Sequence, residues 1–137
     1  MDGVEIRRVS DGVVPEPLDE VFDDTFSPDL LARRAEVDGH LLVVAIADGR
    51  TVGQVAGIIQ HLAHKPSELH LENVGVAPSH RRRGIAAAMV TEALAWGREL
   101  GCDEAWVATE VDNDAANELY TSLGSQSDPA LIHVFTL

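Results

Sequence analysis

The stretch Val74-Gly75-Val76-Ala77-Pro78-Ser79-His80-Arg81-Arg82-Arg83-Gly84-Ile85-Ala86 sets three arginines side by side between an apolar run and a glycine followed by small residues. They are three of only ten Lys and Arg residues in a chain whose formal net charge is −13. A helix that opens at Gly84, just after a strand and a short loop, presents unpaired backbone N–H groups and the positive end of its dipole. Such a helix start binds anions, phosphates above all. Gly84 lets a ligand come close to the backbone because no Cβ intervenes. Ala86, Ala87 and Ala88 keep the first turn thin, and Arg81, Arg82 and Arg83 add charge where phosphates would lie. Taken alone, the same residues also fit an ordinary basic surface at a helix start. The stretch is neither a P-loop, which needs Lys-Ser/Thr after the glycine, nor the G-x-G-x-x-G of dinucleotide folds.

Upstream, strand alternation predicts that His70, Glu72, Val74 and Val76 share one face. A carboxylate partly desolvated beside a substrate has its pKa raised into a useful range, so Glu72 and His70 are candidates for proton transfer. The plainer alternative is that the two line a polar cleft. His61, His64 and His70 in QHLAHKPSELH do not read as metal ligands, because Pro66 breaks any helical presentation and no carboxylate spacing completes a site. No metal is expected. The single cysteine, Cys102, reads as a small buried hydrophobe, and Trp96 and Trp106 read as core.

These residues need elements to position them. Val4 to Val9 alternates as a short strand, and Ser10 to Pro17 is a loop. Leu18, Val21, Phe22 and Phe26 fall at helical spacing with Asp19, Glu20, Asp23 and Asp24 opposite, which predicts a helix over 18–26. Ser27-Pro28 opens a second helix to about Val37. Strands follow over 40–47, 51–62 and 69–76, the first two joined by the hairpin signal Asp48-Gly49-Arg50. A helix over 84–100 carries Ile85, Met89, Ala93, Trp96 and Leu100 as its stripe and is closed by Gly101. A strand over 104–109, a helix over 113–123 ended by Gly124, and an alternating strand over 131–137 complete the order. Antiparallel hairpins followed by strand-helix-strand units predict an α+β, or mixed α/β, architecture: a mostly antiparallel twisted sheet flanked by helices.

Length and composition fit one domain over residues 1–137. No run of about 18 apolar residues predicts a membrane span. The opening residues lack the apolar core of a secretory signal, and a lone cysteine forms no internal disulfide, which together point to the cytoplasm. The negative charge argues against nucleic acid as a partner and permits a cationic substrate, although acidity also serves solubility alone.

Two motifs carry a resemblance. Val74-Gly75-Val76-Ala77-Pro78-x-x-Arg81-x-x-Gly84-x-Ala86 resembles the acetyl-CoA motif of the GNAT superfamily of N-acetyltransferases. Asn113-x-x-Ala116-x-x-Leu119-Tyr120-x-x-Leu123-Gly124 is similar to that family's N-x-x-A-x-x-L-Y-x-x-x-G helix. The likeness spans nearly the whole chain and is strongest over 40–124. Within the superfamily, SELHLENVGVAPSHRRRGIA and ELYTSLG look most similar to the aminoglycoside 3-N-acetyltransferase-like branch.

The resemblance implies acetyl-CoA as cosubstrate. Backbone groups of Val74 and Val76 would pair with its pantetheine arm, and the loop Arg81, Arg82, Arg83, Gly84, Ile85, Ala86 would hold its pyrophosphate. Asn113 would bond the pantetheine or cap its own helix. Tyr120 would protonate the leaving thiolate, and Glu72, with His70 as partner, would take the amine's proton. It also implies direct attack by a small primary amine in a ternary complex, with Asp19, Glu20, Asp23, Asp24 and Asp29 available to a cationic acceptor. Acetylation of proteins or peptides, or a catalytically silent CoA-binding regulatory module, are the alternatives. One departure concerns Ser125, which stands after Gly124 where the family carries a large apolar residue, and little chain follows for the usual final pair of strands. Either a strand is missing or a partner subunit completes the sheet as a homodimer.

Overall fold

A computed structural model describes residues 2–22 and 25–137. The elements run β1 (Glu5–Val9), α1 (Pro28–Ala35), β2 (His40–Ala47), β3 (Arg50–Gln60), β4 (Glu68–Val76), a 3-10 turn at Pro78–His80, α2 (Ile85–Glu99), β5 (Glu104–Val107) and α3 (Asp114–Ser122). The five strands form one sheet in chain order. Neighbours from β1 to β4 are antiparallel, and β5 joins β4 in parallel.

Both faces of the sheet are covered, which explains why β2 is an almost unbroken apolar run rather than an alternating one. On one face α2 packs Ile85, Met89, Val90 and Ala93 against Leu41, Val43, Val55, Leu69 and Leu71. Gly97 lets the helix settle onto β4, because a Cβ there would stand 2.8 Å from Leu69 Cδ2. On the other face Leu31 of α1 packs with Val9, Leu42 and Val44. Helix α1 opens as the sequence predicts, with Ser27 Oγ accepting the Leu30 N–H at 3.2 Å. Arg8 of β1 ties the sheet to α2 through Glu92 at 2.6 Å and Glu99 at 2.6 Å, and lies over the Trp96 ring at 5.3 Å.

Three expectations are corrected. The described part of segment 18–26 is not helical; its Asp23 and Asp24 lie outside the described residues. The start of β3 captures the chain leading into it. Thr51 N donates to Glu16 O at 3.3 Å, Leu18 N to Thr51 O at 3.0 Å and Thr51 Oγ1 to Pro15 O at 2.7 Å, while Arg50 donates to the carbonyls of Glu16 and Pro17. Backbone groups that a helix needs are thus spent on the sheet, and Glu20 adopts φ 68. Second, residues 131–137 form no strand, and residues 125–137 are exposed.

The third correction concerns which side chains share a face. Asn73 pairs with Ala56 and Leu71 with Gly57, so Glu72 is an extra residue, a β-bulge in β4. The bulge reverses the alternation. Val74 and Val76 pack with Leu69 and Leu71 against α2, whereas Glu72 and Asn73 turn to the α1 side. His70, Glu72, Val74 and Val76 therefore do not share a face.

Candidate active site

Pairing of β4 with β5 ends at Leu71 and Val107, yet β4 continues to Val76. From Glu72 onward its outer side has no strand partner among the described residues, and the two strands part. Val74 and Val76 lie on this open stretch of β4, and the Val76 carbonyl already accepts Arg81 Nε at 3.1 Å. Arg81 is thereby folded back along the strand it follows.

The strand leads through the 3-10 turn into α2. Arg82 and Gly84 both take left-handed backbone conformations, φ 64 and φ 76. Gly84 adopts this at no steric cost, whereas Arg82 is a strained position. Ile85, almost wholly buried, anchors the first turn, and Ala86 to Ala88 are half-buried. No side chain caps α2. Among the described residues nothing accepts from the backbone N–H groups of residues 82–87, and the Arg82 and Arg83 side chains are exposed without an ion pair. The helix start is an open set of donors with two free cations beside it, a geometry suited to phosphates.

Tyr120 of α3 is half-buried in a cleft of about 250 Å³ whose walls include Leu71, Val90, Trp106, Val107 and Leu123. Burial pushes its phenol above the ordinary tyrosine value, so the hydroxyl keeps its proton. Asn113 caps α3, its Oδ1 accepting the Ala116 N–H at 3.2 Å. Of its two expected roles this is the one the structure displays.

Glu72 and His70 lie elsewhere on β4. Glu72 Oε1 accepts Arg34 Nη2 at 2.9 Å, and that guanidinium also donates to the carbonyls of Leu41 and Gly57. His70 stacks flat on Trp106, ring centroids 3.9 Å apart, while Trp106 Nε1 donates to Gln60 Oε1 at 3.1 Å. Trp106 is 43 % exposed and so is not the core residue the sequence suggests. It belongs to a short outer strand with little covering it.

A second cleft, about 340 Å³, lies on the α1 side and is lined by Phe22, Phe26, Leu30, Arg34, Gln54 and Asn73. Leu71 borders the first cleft and Asn73 the second, so the two flank the Glu72 bulge. Gln54 is fully buried; its Nε2 donates to Val21 O at 3.2 Å and to Asn73 Oδ1, leaving Oε1 without a described partner. A buried acceptor in that state favours a donor in the cleft. Arg34 and Gln54 escape sequence reasoning, although a lone Gln inside the apolar run TVGQVAGII is a signal for the latter. Asp19, Glu20 and Asp29 are exposed. Among the described residues no three His, Cys, Asp or Glu side chains cluster as metal ligands. No helix there is long and apolar enough to cross a membrane.

Comparisons with known proteins give the family and the fold. Residues 7–124 match the family described as Acetyltransferase (GNAT) family. An aminoglycoside N(6')-acetyltransferase type 1 of Klebsiella aerogenes is 30% identical over 117 residues, covering 83% of this chain and 73% of the relative. N-acetyltransferase family 8 member 3 of Rattus norvegicus is 33% identical over 107 residues, 74% of this chain and 46% of the relative. The chain thus spans about half the length of some relatives it matches. A crystal structure of an aminoglycoside acetyltransferase from an uncultured soil metagenomic sample, in complex with sisomicin, superposes with a TM-score of 0.84 at 17% identity, covering 99% of this chain and 97% of that one.

Proposed function

The chain belongs to the Acetyltransferase (GNAT) family, and from that premise we propose that it transfers the acetyl group of acetyl-CoA to a primary amine of a small, cationic, aminoglycoside-like molecule. The observation that carries the reading is the parting of β4 from β5 directly before the uncapped start of α2. An extended pantetheine arm fits the open edge of β4 as an added strand, through Val74 and the free groups of Val76. Its pyrophosphate fits the N–H groups of Arg82 to Ala86, with Arg83 and the remaining guanidinium nitrogens of Arg81 beside it.

Acetyl transfer in a ternary complex then needs two proton movements. The amine nitrogen attacks the thioester carbon, the C–S bond breaks, and the thiolate takes a proton. We assign that donation to the Tyr120 hydroxyl, which burial keeps protonated. The amine's proton goes to Glu72, whose Oε2 has no described partner, with His70 as its neighbour on the strand. The acceptor enters from the cleft of Phe22, Phe26 and Gln54, where Gln54 Oε1 receives one of its N–H groups. Asp19, Glu20 and Asp29 supply the negative surface that draws a cation toward that side. Asn113 has its Nδ2 left to meet the pantetheine. A cytoplasmic site of action suits a protein that consumes acetyl-CoA.

Thiol release from acetyl-CoA, measured against aminoglycosides, polyamines, amino acids and basic peptides, tests the assignment. Turnover with aminoglycosides is expected. Turnover with peptides alone replaces the acceptor class, and silence with every amine despite CoA binding points to the non-catalytic module.

A further inference from the structure

Leu69 and Leu71 of β4 point into the core beneath α2, so His70 between them points to the α1 side, the side to which the bulge turns Glu72. Trp106 pairs with His70 across the parallel β4–β5 ladder and stacks on it, the rings 6° from parallel. The indole is fixed at its nitrogen as well, which donates to Gln60 Oε1. Even so Trp106 is 43 % exposed, and among the described residues no ring or cation covers its other face. A large aromatic held still with one face open offers a ligand contact area at little further cost in ordering.

What surrounds that face selects the ligand. Glu104 stands two residues before Trp106 on the same side of β5, its side chain 65 % exposed. Its neighbour Lys65, 3.7 Å away, is already paired with Glu68. A carboxylate beside an open indole face suits an ammonium, which the ring attracts through its negative π face and the carboxylate through its charge. Strand spacing sets Trp106 roughly 8 Å from Glu72 on the diagonal, a separation that one sugar ring bridges. We propose that the open face of Trp106, together with Glu104, is a second ammonium subsite, so that the favoured acceptor carries another cationic amine beside the one that is acetylated. His70 is the positioning residue that holds the indole there. The subsite rests on the acetyl-transfer reading for the amine that reacts at Glu72, whereas binding of the second amine does not depend on turnover.

Calorimetry and thiol release test this on the chain itself, Trp106→Leu, Trp106→Phe and Glu104→Gln. Each is given a two-ring aminoglycoside bearing several amines and, separately, glucosamine, which bears one. Trp106→Leu is expected to weaken the aminoglycoside about 5-fold or more in both Kd and KM, the size of a cation–π contact, with acetyl-CoA binding and the KM for glucosamine kept. Trp106→Phe, which retains an aromatic face, should recover part of that loss. Glu104→Gln should weaken the aminoglycoside by a smaller factor that disappears at high salt. Equal weakening of both sugars, an unchanged aminoglycoside affinity, or a wild-type chain that does not bind the aminoglycoside overturns the subsite. Should Trp106→Leu fail to fold, the Trp106→Phe and Glu104→Gln comparisons decide. The expected binding pattern without any turnover keeps the subsite and removes the acetyl-transfer reading. Turnover with unchanged aminoglycoside affinity in the variants does the reverse.

Discussion

Arg34 of α1 reaches across to β4 and donates to Glu72 Oε1 at 2.9 Å, anchored at the same time by the carbonyls of Leu41 at 3.1 Å and Gly57 at 2.8 Å. The β-bulge puts Glu72 where this is possible, since strict alternation continued from Val74 would turn it toward α2. One carboxylate oxygen is held in place, and the other has no described partner. Glu72→Gln is expected to lower kcat by about 100-fold or more, the usual contribution of a general base, with little change in KM for acetyl-CoA. Arg34→Gln should lower kcat less and lower Tm as well, because it also strips two backbone carbonyls of a donor. Wild-type turnover in Glu72→Gln, with chemistry rate-limiting, moves the role to His70, and His70→Gln then decides.

Tyr120 gives a prediction in pH. Burial raises its pKa, so the neutral phenol is favoured in the folded chain. If Tyr120 is the acid, as proposed, it is present below the ordinary tyrosine value of about 10 and lost as pH rises through the higher folded value. On this assignment the rate of the chemical step falls on the alkaline side as the phenol ionises. Tyr120→Phe is expected to lower kcat and to abolish the alkaline limb. An unchanged limb in the variant assigns it to another group.

The helix start predicts how phosphates are divided. Arg81 is engaged with Val76 O, whereas Arg82 and Arg83 are free of described ion pairs. Losing one charge-assisted phosphate contact costs about 1.5–3 kcal/mol, or roughly 10–100-fold in Kd. Calorimetry of Arg82→Ala and Arg83→Ala with CoA and dephospho-CoA separates the contacts. An equal loss for both ligands places the side chain on the pyrophosphate; a loss confined to CoA places it on the 3′-phosphate; no loss in either variant contradicts the site. Gly84→Val should weaken both ligands by forcing a β-branched residue into the left-handed region.

Packing of α2 is tested at Gly97. A Cβ there meets Leu69 Cδ2 at 2.8 Å and Leu69 Cβ at 3.3 Å, so Gly97→Ala must push the helix from β4 or drive Leu69 off its rotamer. Overpacking of this kind costs about 1–3 kcal/mol. Denaturant unfolding should show that loss. A variant as stable as wild type shows that the helix gives way freely.

The tie between β1 and α2 predicts an acid-side effect. The hydrogen bonds from Arg8 hold the Glu99 carboxyl below its ordinary value of 4.5. Its contribution to stability is thus present above that value and is lost as pH falls through the depressed folded one. Glu99→Gln should melt earlier than wild type near neutrality, and the gap should close in acid. Parallel melting curves across the range would show that the pair contributes nothing.

The strand leading into the glycine-opened helix α2 was legible in the sequence because local signals coincide there: Pro78, Gly84, the alanines and the helical stripe agree; the open edge of β4 and the place of Tyr120 followed only from the resemblance of the two motifs. Helix α1 was legible for the same reason, through Ser27 and Pro28. Segment 18–26 misleads because its helical period competes with long-range pairing to Thr51, which no local window contains. The faces of β4 mislead because one extra residue at Glu72 reverses them, and a bulge leaves no compositional mark. Arg34 and Gln54 matter only through partners distant in sequence, Glu72 for one and Val21 and Asn73 for the other. Strand pattern alone also cannot tell whether residues 131–137 pair within their own chain, which is why they read as an ordinary final strand.

The central claim, that the parted strands and the α2 start hold acetyl-CoA, is tested most directly by titrating the isotope-labelled chain with acetyl-CoA and following its backbone amide resonances. Saturable shifts are expected, concentrated at residues 73–76 and 82–87, with Tyr120 and its neighbours in α3 following. Resonances that stay in place at millimolar acetyl-CoA, or shifts that gather elsewhere and spare 82–87, would contradict it.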